Sequence, residues 1–141
     1  MTCRSVRSGF SLVEIVVAVT IMGLVMAIIV PNVMGYLQRS RKTATRVALN
    51  QVTDAIELYH SDTSVYPATL HDLITRPADE KAAKRWDGPY FKKAQYPTDG
   101  WKNELVYILN PKGTQPPYEL YSWGPGGEGS PSEEWMHARD V

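Results

Sequence analysis

Hydrophobic and polar positions divide the chain into two regimes. From Phe10 to Val30 the sequence is almost unbroken apolar, with one carboxylate, Glu14, and no basic residue. At about 1.5 Å of helical rise per residue, this run of 21 residues measures about 31 Å, the thickness of a bilayer's hydrocarbon. After Pro31 the pattern changes. Leu37, Ala44, Ala48, Val52, Ala55 and Tyr59 recur at helical spacing, while Arg39, Arg46, Asn50, Asp54 and Glu57 fall largely off that stripe. The spacing predicts an amphipathic helix over about 32–61, with one face for a core. His60-Ser61-Asp62 and the Ser64–Pro67 stretch end it. Residues 68–76, ATLHDLITR, predict a short helix, and Lys81–Trp86 a further turn. Leu105–Leu109 and Tyr118–Trp123 predict two strands, with Asn110-Pro111-Lys112-Gly113 starting the connection. Asp87-Gly88 and Asp99-Gly100, flanked by aromatics, are turn chemistry. The expected fold class is α+β: a small antiparallel sheet laid across a long helix, with a C-terminal loop.

The apolar run reads as a membrane anchor. A cleavable secretory signal has a shorter apolar stretch of about 7–15 residues and a small-x-small site, which Ile28-Ile29-Val30-Pro31 does not supply. Cys3 precedes the run, so the lipoprotein pattern fails as well. Charge counting finds more cations after the span than before it: Arg4 and Arg7 precede it, and Arg39, Arg41, Lys42 and Arg46 follow. By that rule alone the C-terminal domain would face the cytoplasm. The cluster at 39–46 has two readings, a solvated face or contact with lipid headgroups or an acidic neighbour. Glu14 sits about one turn inside the run. A carboxylate at the centre of a span costs about 2.5–3.5 kcal/mol, and less near its end. Either Glu14 snorkels to the interface, or it meets a cation from another chain or a newly made amine.

Composition narrows the chemistry. With 15 basic and 15 acidic residues among 141, the formal charge is +0, and no nucleic-acid partner is expected. The one cysteine allows no intrachain disulfide and no cysteine-based zinc site. His60, His71 and His137 show no ligand spacing, and there is no G-x-S-x-G elbow. The segment Gly124–Gly129 is glycine-rich but lacks the Gly-Lys-Ser/Thr of a phosphate loop. It reads as a turn with positive-φ positions. Nothing here points to an enzyme.

Gly9-Phe10-Ser11-Leu12-Val13-Glu14 resembles the processing site of type IV pilins and pseudopilins. The resemblance implies a leader, residues 1–9, cut after Gly9 by a membrane-embedded prepilin peptidase that also N-methylates Phe10. It implies that Glu14, then the fifth residue, pairs with the Phe10 amine of a neighbouring subunit. Loss of Arg4 and Arg7 would leave 13 basic residues against 15 acidic, a formal −2. The blocks VYPATLHDLITRP, GPYFKKAQYPTDGWKNELVYI and YELYSWGPGGEG are similar to those of the major, G-type pseudopilins of type II secretion. The C-terminal cysteine pair of true type IV pilins is absent. The implied fold is pilin-like: a transmembrane and filament-core helix over 10–30, then a periplasmic domain over 31–141 whose helix runs to about 61.

The resemblance further implies an inner-membrane protein with one span and its C-terminal domain in the periplasm. It would polymerise with itself into a pseudopilus, alongside minor pseudopilins, on an inner-membrane platform driven by a cytoplasmic ATPase. Growth of the filament would push folded exoproteins through an outer-membrane secretin. It also implies calcium in the late loop. SWGPGGEGSPSEEW aligns Glu133 and Glu134 with two family aspartates, and Trp123 and His137 with backbone-carbonyl ligands. Gly126 stands where the family usually has Asp, so weaker binding is expected. The rival for this loop is packing of Trp123 and Trp135 with solvated glutamates. The rival functions are a pilin-like subunit for DNA uptake, adhesion or motility, and a membrane-anchored binding protein that does not polymerise.

Overall fold

The computed structural model describes residues 9–91 and 95–140. Residues 1–8, with Cys3 and most of the expected leader among them, lie outside the described residues. The chain divides into two compact units, Met1–Gln38 and Arg39–Val141. The boundary falls beyond the 30/31 division that hydropathy suggests.

Helix α1, Leu12–Thr63, takes in both the apolar run and the amphipathic stretch, and it continues through Pro31. In the first unit its apolar side chains are exposed, Leu12 at 80% and Ile28 at 69%. Val and Ile dominate here although they are only moderate helix formers in water. In hydrocarbon the backbone must satisfy itself, which favours a helix whatever its side chains. The polar side chains follow the same rule: Thr20 Oγ1 donates to the Val16 carbonyl at 2.8 Å and Asn32 Nδ2 to the Ile28 carbonyl at 3.0 Å.

In the second unit α1 becomes one wall of a core. Thr45, Ala48, Leu49, Val52, Ala55, Ile56, Tyr59 and Thr63 are buried, a stripe of i, i+3, i+4, i+7 spacing. Leu37 and Ala44, expected on that stripe, are exposed, because the rest of the domain covers the helix only from Thr45 onward. The helix ends at Thr63, and Ser64 turns the chain away with φ of +62°. The short helix expected over 68–76 is instead a four-residue 3-10 turn, Leu70–Leu73. Asp72 caps its start by accepting from the Ala68 and Thr69 amides at 2.9 and 3.0 Å. Pro77 disfavours helical geometry at Arg76, so the turn cannot lengthen. Helix α2, Glu80–Arg85, is capped by the Asp79 carboxylate, which accepts from the Lys81 and Ala82 amides.

The sheet has three antiparallel strands in the order β1 (Val106–Leu109), β2 (Tyr118–Ser122) and β3 (Met136–His137). Val106 faces Tyr121 across the first pair, and Tyr121 faces His137 across the second. The first two strands match expectation. The third, of two residues, leaves no alternation to read. Leu105 and Leu120 close the core against the Ala48–Tyr59 face of α1, with Leu70 and Leu73 from the 3-10 turn. Tyrosines rim it. Tyr107 Oη donates to the Pro67 carbonyl and Tyr90 Oη to Asp62, both at 2.8 Å. Burial raises Tyr90 to about 12, and the bond to Asp62 adds to it. Burial raises Tyr118 to about 12 as well, with the Glu57 charge adding to it.

Candidate functional site

Two places carry the residues singled out from the sequence. The first is the start of α1. Gly9 and Phe10 precede the helix and Glu14 lies in its first turn, one turn beyond Phe10, all three exposed. Among the described residues the one ion pair is Arg139–Asp140, so none of their cations pairs with Glu14. An apolar helix that presents one carboxylate near its end can accept a positive charge from outside. It can do so only where a second molecule brings that charge into the same layer.

The second place is the loop from Trp123 to His137. Two 3-10 turns, Gly124–Gly126 and Ser132–Glu134, fold it back on itself. Gly124 has φ of +74°, and a Cβ there would overlap the Glu134 carbonyl oxygen, so the close approach of the two turns requires glycine. Aromatic rings fix the rest. Trp135 stacks on Tyr121 with centroids 4.8 Å apart, and meets Trp123 edge-on at 4.8 Å. The His137 ring lies 5.3 Å from Tyr121. Trp135 Nε1 donates to the Ser130 carbonyl at 2.9 Å, and the Ser130 hydroxyl donates to the Trp123 carbonyl at 2.5 Å. Glu133 and Glu134 are exposed.

The structure brings together only part of the predicted cation ligands. Gly126 packs against Ser130, whose hydroxyl is bound to the Trp123 carbonyl, and a Cβ built on Gly126 would lie 2.9 Å from Glu134 Oε2. Glu134 thus leans into space that a side chain at 126 would fill. Carbonyl, hydroxyl and carboxylate oxygens are the right chemistry for a hard cation such as calcium. They are fewer than the six to eight oxygens it takes, so waters would have to complete the shell. Among the described residues no group of three or more His, Cys, Asp or Glu side chains could hold a metal ion. Glu133 and His137 are not drawn into the oxygen cluster by any hydrogen bond among those residues, and the His137 ring belongs to the aromatic stack.

The residue that organises this loop is Asp99, which reads in the sequence only as half of an Asp-Gly turn. It is 3% exposed. Its Oδ1 accepts from the Trp101 amide at 2.9 Å and the Asn103 amide at 2.7 Å. Its Oδ2 accepts from the Ser122 hydroxyl at 2.7 Å and Asn103 Nδ2 at 3.2 Å. Ser122 and Asn103 then hold Gly124: the Gly124 amide donates to Ser122 Oγ at 3.0 Å, and Asn103 Nδ2 donates to the Gly124 carbonyl at 3.2 Å. The next residue, Gly100, donates to Thr45 Oγ1 at 2.9 Å, and a Cβ there would overlap the Arg41 backbone. One buried carboxylate therefore ties together α1, the end of β2 and the late loop. The short polar residues Asp99, Asn103 and Ser122 among aromatics were the available signal. Their convergence needs the fold.

Residues 32–137 match the family described as type II secretion system protein G, and residues 4–30 match the prokaryotic N-terminal methylation motif. The core protein G of the Pseudomonas aeruginosa type II secretion system is 35% identical over 130 residues, 89% of this chain and 88% of that protein. The core protein G of Vibrio cholerae is 32% identical over 129 residues, 88% of this chain and 87% of that protein. A crystal structure of the major pseudopilin from the type 2 secretion system of enterohaemorrhagic Escherichia coli superposes with a TM-score of 0.62 at 21% identity. It covers 79% of this chain and 96% of that one, and it establishes the pilin-like fold. With a family match over most of its length and relatives of this identity and coverage, the chain belongs to the type II secretion system protein G family.

Proposed function

We propose that this chain is a structural subunit that polymerises into the periplasmic pseudopilus of a type II secretion system, and that it has no catalytic role. A prepilin peptidase cuts after Gly9 and methylates the new amine of Phe10. The mature chain waits in the inner membrane with one span and its C-terminal domain in the periplasm. The inner-membrane platform then feeds it, with minor pseudopilins, into a filament that drives folded exoproteins through the secretin. A head-to-tail contact that does not close on itself generates an open helix.

The observation that carries this reading is Glu14: a carboxylate in the first turn of an exposed apolar helix, with no ion partner among the described residues. The amine of Phe10 on a neighbouring subunit would neutralise it in the filament core. A buried pair of this kind is well suited to fixing register. A membrane-anchored protein that does not polymerise has no use for that carboxylate. In a strain lacking the chain, Glu14→Ala is expected to insert in the membrane at normal levels while filaments and secretion are lost. Normal secretion by the variant would sink the register role.

The late loop takes a calcium ion weakly, through the Trp123 carbonyl and Glu134, with waters completing the shell. Glu133 and His137 reach the ion only if the Ser132–Glu134 turn rearranges around it. Titration of the full chain with calcium is expected to give saturable heat only in the millimolar range, and Glu134→Ala to abolish it. No heat at 10 times that range would exclude the ion.

A further inference from the structure

Between Glu14 and Asp54 the chain has no carboxylate, yet Arg39, Arg41, Lys42 and Arg46 fall in that interval. All four are exposed, and among the described residues none has an acidic group within ion-pair distance. Arg39, Lys42 and Arg46 follow i, i+3, i+7 spacing and share one side of α1, while Arg41 lies on the side that becomes buried from Thr45 onward. The loop Asp99–Asn103 docks on α1 at Arg41 and Thr45, and it brings a further exposed cation, Lys102. The cations thus occupy two sides of the helix, three on one and Arg41 with Lys102 on the other.

Their position along the chain identifies the partner. The exposed apolar residues of the anchor continue past Val30 through Val33, Met34, Tyr36 and Leu37, and the first cation follows two residues later. Helical side chains lean toward the N-terminus, so long basic side chains here reach back toward the apolar run. A ring of cations just beyond a hydrophobic span, with an aromatic residue at its edge, fits the headgroup layer of a bilayer. An acidic face on a second protein would favour one side of the helix, and the cations are not confined to one side.

We propose that Arg39, Arg41, Lys42 and Arg46, with Lys102, form a collar that binds the anionic phospholipid headgroups of the membrane holding the span. The proposal rests on the membrane-anchored reading above. It also accounts for cations that charge counting alone would assign to the cytoplasm: they serve the lipid surface beside the domain and leave the orientation of the span to other signals. Release from the collar would be one step in lifting the subunit out of the bilayer.

The test uses the full chain in nanodiscs of phosphatidylcholine and phosphatidylglycerol, with the lipids retained by the protein counted by native mass spectrometry. Wild type is expected to retain the two lipids at a phosphatidylglycerol-to-phosphatidylcholine ratio about fivefold or more above the bulk ratio, the effect of roughly one basic residue's attraction. The enrichment should fall at 0.5 M salt. The R39Q/R41Q/K42Q/R46Q variant should retain the two lipids in the bulk ratio, and R39Q/K42Q an intermediate ratio. K81Q/K84Q/R85Q, which neutralises three exposed cations on α2, should behave as wild type. No enrichment in wild type, or the same enrichment in the collar variant, overturns the proposal. So does a collar variant that keeps its enrichment but no longer forms filaments, which would assign the cations to a neighbouring subunit. A chain that does not enter nanodiscs at all overturns the membrane reading itself.

Discussion

Replacing Asp99 with alanine removes the acceptor for two backbone amides, one hydroxyl and one side-chain amide at once. Hydrogen bonds to an ionised acceptor contribute about 1.5–3 kcal/mol each, and a buried donor left unpaired costs about 1–3 kcal/mol. The four bonds share one carboxylate and are not additive. Water entering the vacated space can re-pair some donors. A loss of about 3–5 kcal/mol follows, a large share of a domain's total of about 5–15 kcal/mol. Asp99→Asn is a sharper probe. Its amide oxygen can still accept from Trp101 and Asn103, and the Ser122 hydroxyl can turn to accept from its nitrogen. Asn103 Nδ2 then loses one of its two acceptors and keeps the Gly124 carbonyl, and the Ser122 hydroxyl proton is left without one, for a cost of about 1–3 kcal/mol. Urea unfolding of the full chain in mild detergent measures both, because Trp86, Trp101, Trp123 and Trp135 all lie in the second unit and report on it alone. The expected order is wild type, D99N, D99A, with unchanged m. D99A within about 1 kcal/mol of wild type, or D99N as damaging as D99A, would refute the hub.

Other outcomes follow from the same geometry. Ile56→Ala, at a fully buried position of α1, should cost about 2–5 kcal/mol in the same assay, whereas Leu58→Ala, 57% exposed, should cost under about 0.5 kcal/mol. Tyr90 and Tyr118 are raised in the fold from their ordinary value of 10.0 to about 12, so the folded state favours their neutral forms. That stability is whole below pH 10, where neither state ionises, and is lost as pH rises through about 12. Thermal unfolding should show Tm falling across that window, and a flat Tm there would contradict it. Calcium at ten times its dissociation constant should stabilise the second unit by about 1.4 kcal/mol, raising Tm by about 5 °C, and Glu134→Ala should remove the shift.

The parts of the fold that rest on periodicity were legible in the sequence. An almost unbroken apolar run marks α1 before Pro31 and a 3.6-residue pattern marks it after, and apolar runs between turns mark β1 and β2. Pro31 removes a backbone donor inside α1, and the helix is nevertheless continuous through it. Strand β3 was invisible because two residues carry no period. It exists because the stacking of Trp135 on Tyr121 aligns Met136 and His137 with the end of β2. The stretch 68–76 looked helical by its leucines, but the Asp72 cap and Pro77 leave room for one turn only. At the candidate sites, Gly9, Phe10 and Glu14 stand out in the sequence because they are near neighbours along the chain. In the late loop Ser130 connects the Trp123 carbonyl to Gly126, beside which Glu134 Oε2 lies, while Glu133 and His137, neighbours in sequence, make no hydrogen bond to these groups among the described residues. Asp99 went unrecognised as a hub because its partners Ser122 and Gly124 come from another part of the chain.

The most direct test of the central claim is the N-terminal fragment mass of this chain recovered from filaments sheared off cells that make the whole secretion system. The account predicts that filaments contain the chain and that it starts at N-methylated Phe10, supplying the amine that Glu14 needs. A chain absent from the filaments, or present there with residues 1–9 still attached, would contradict it.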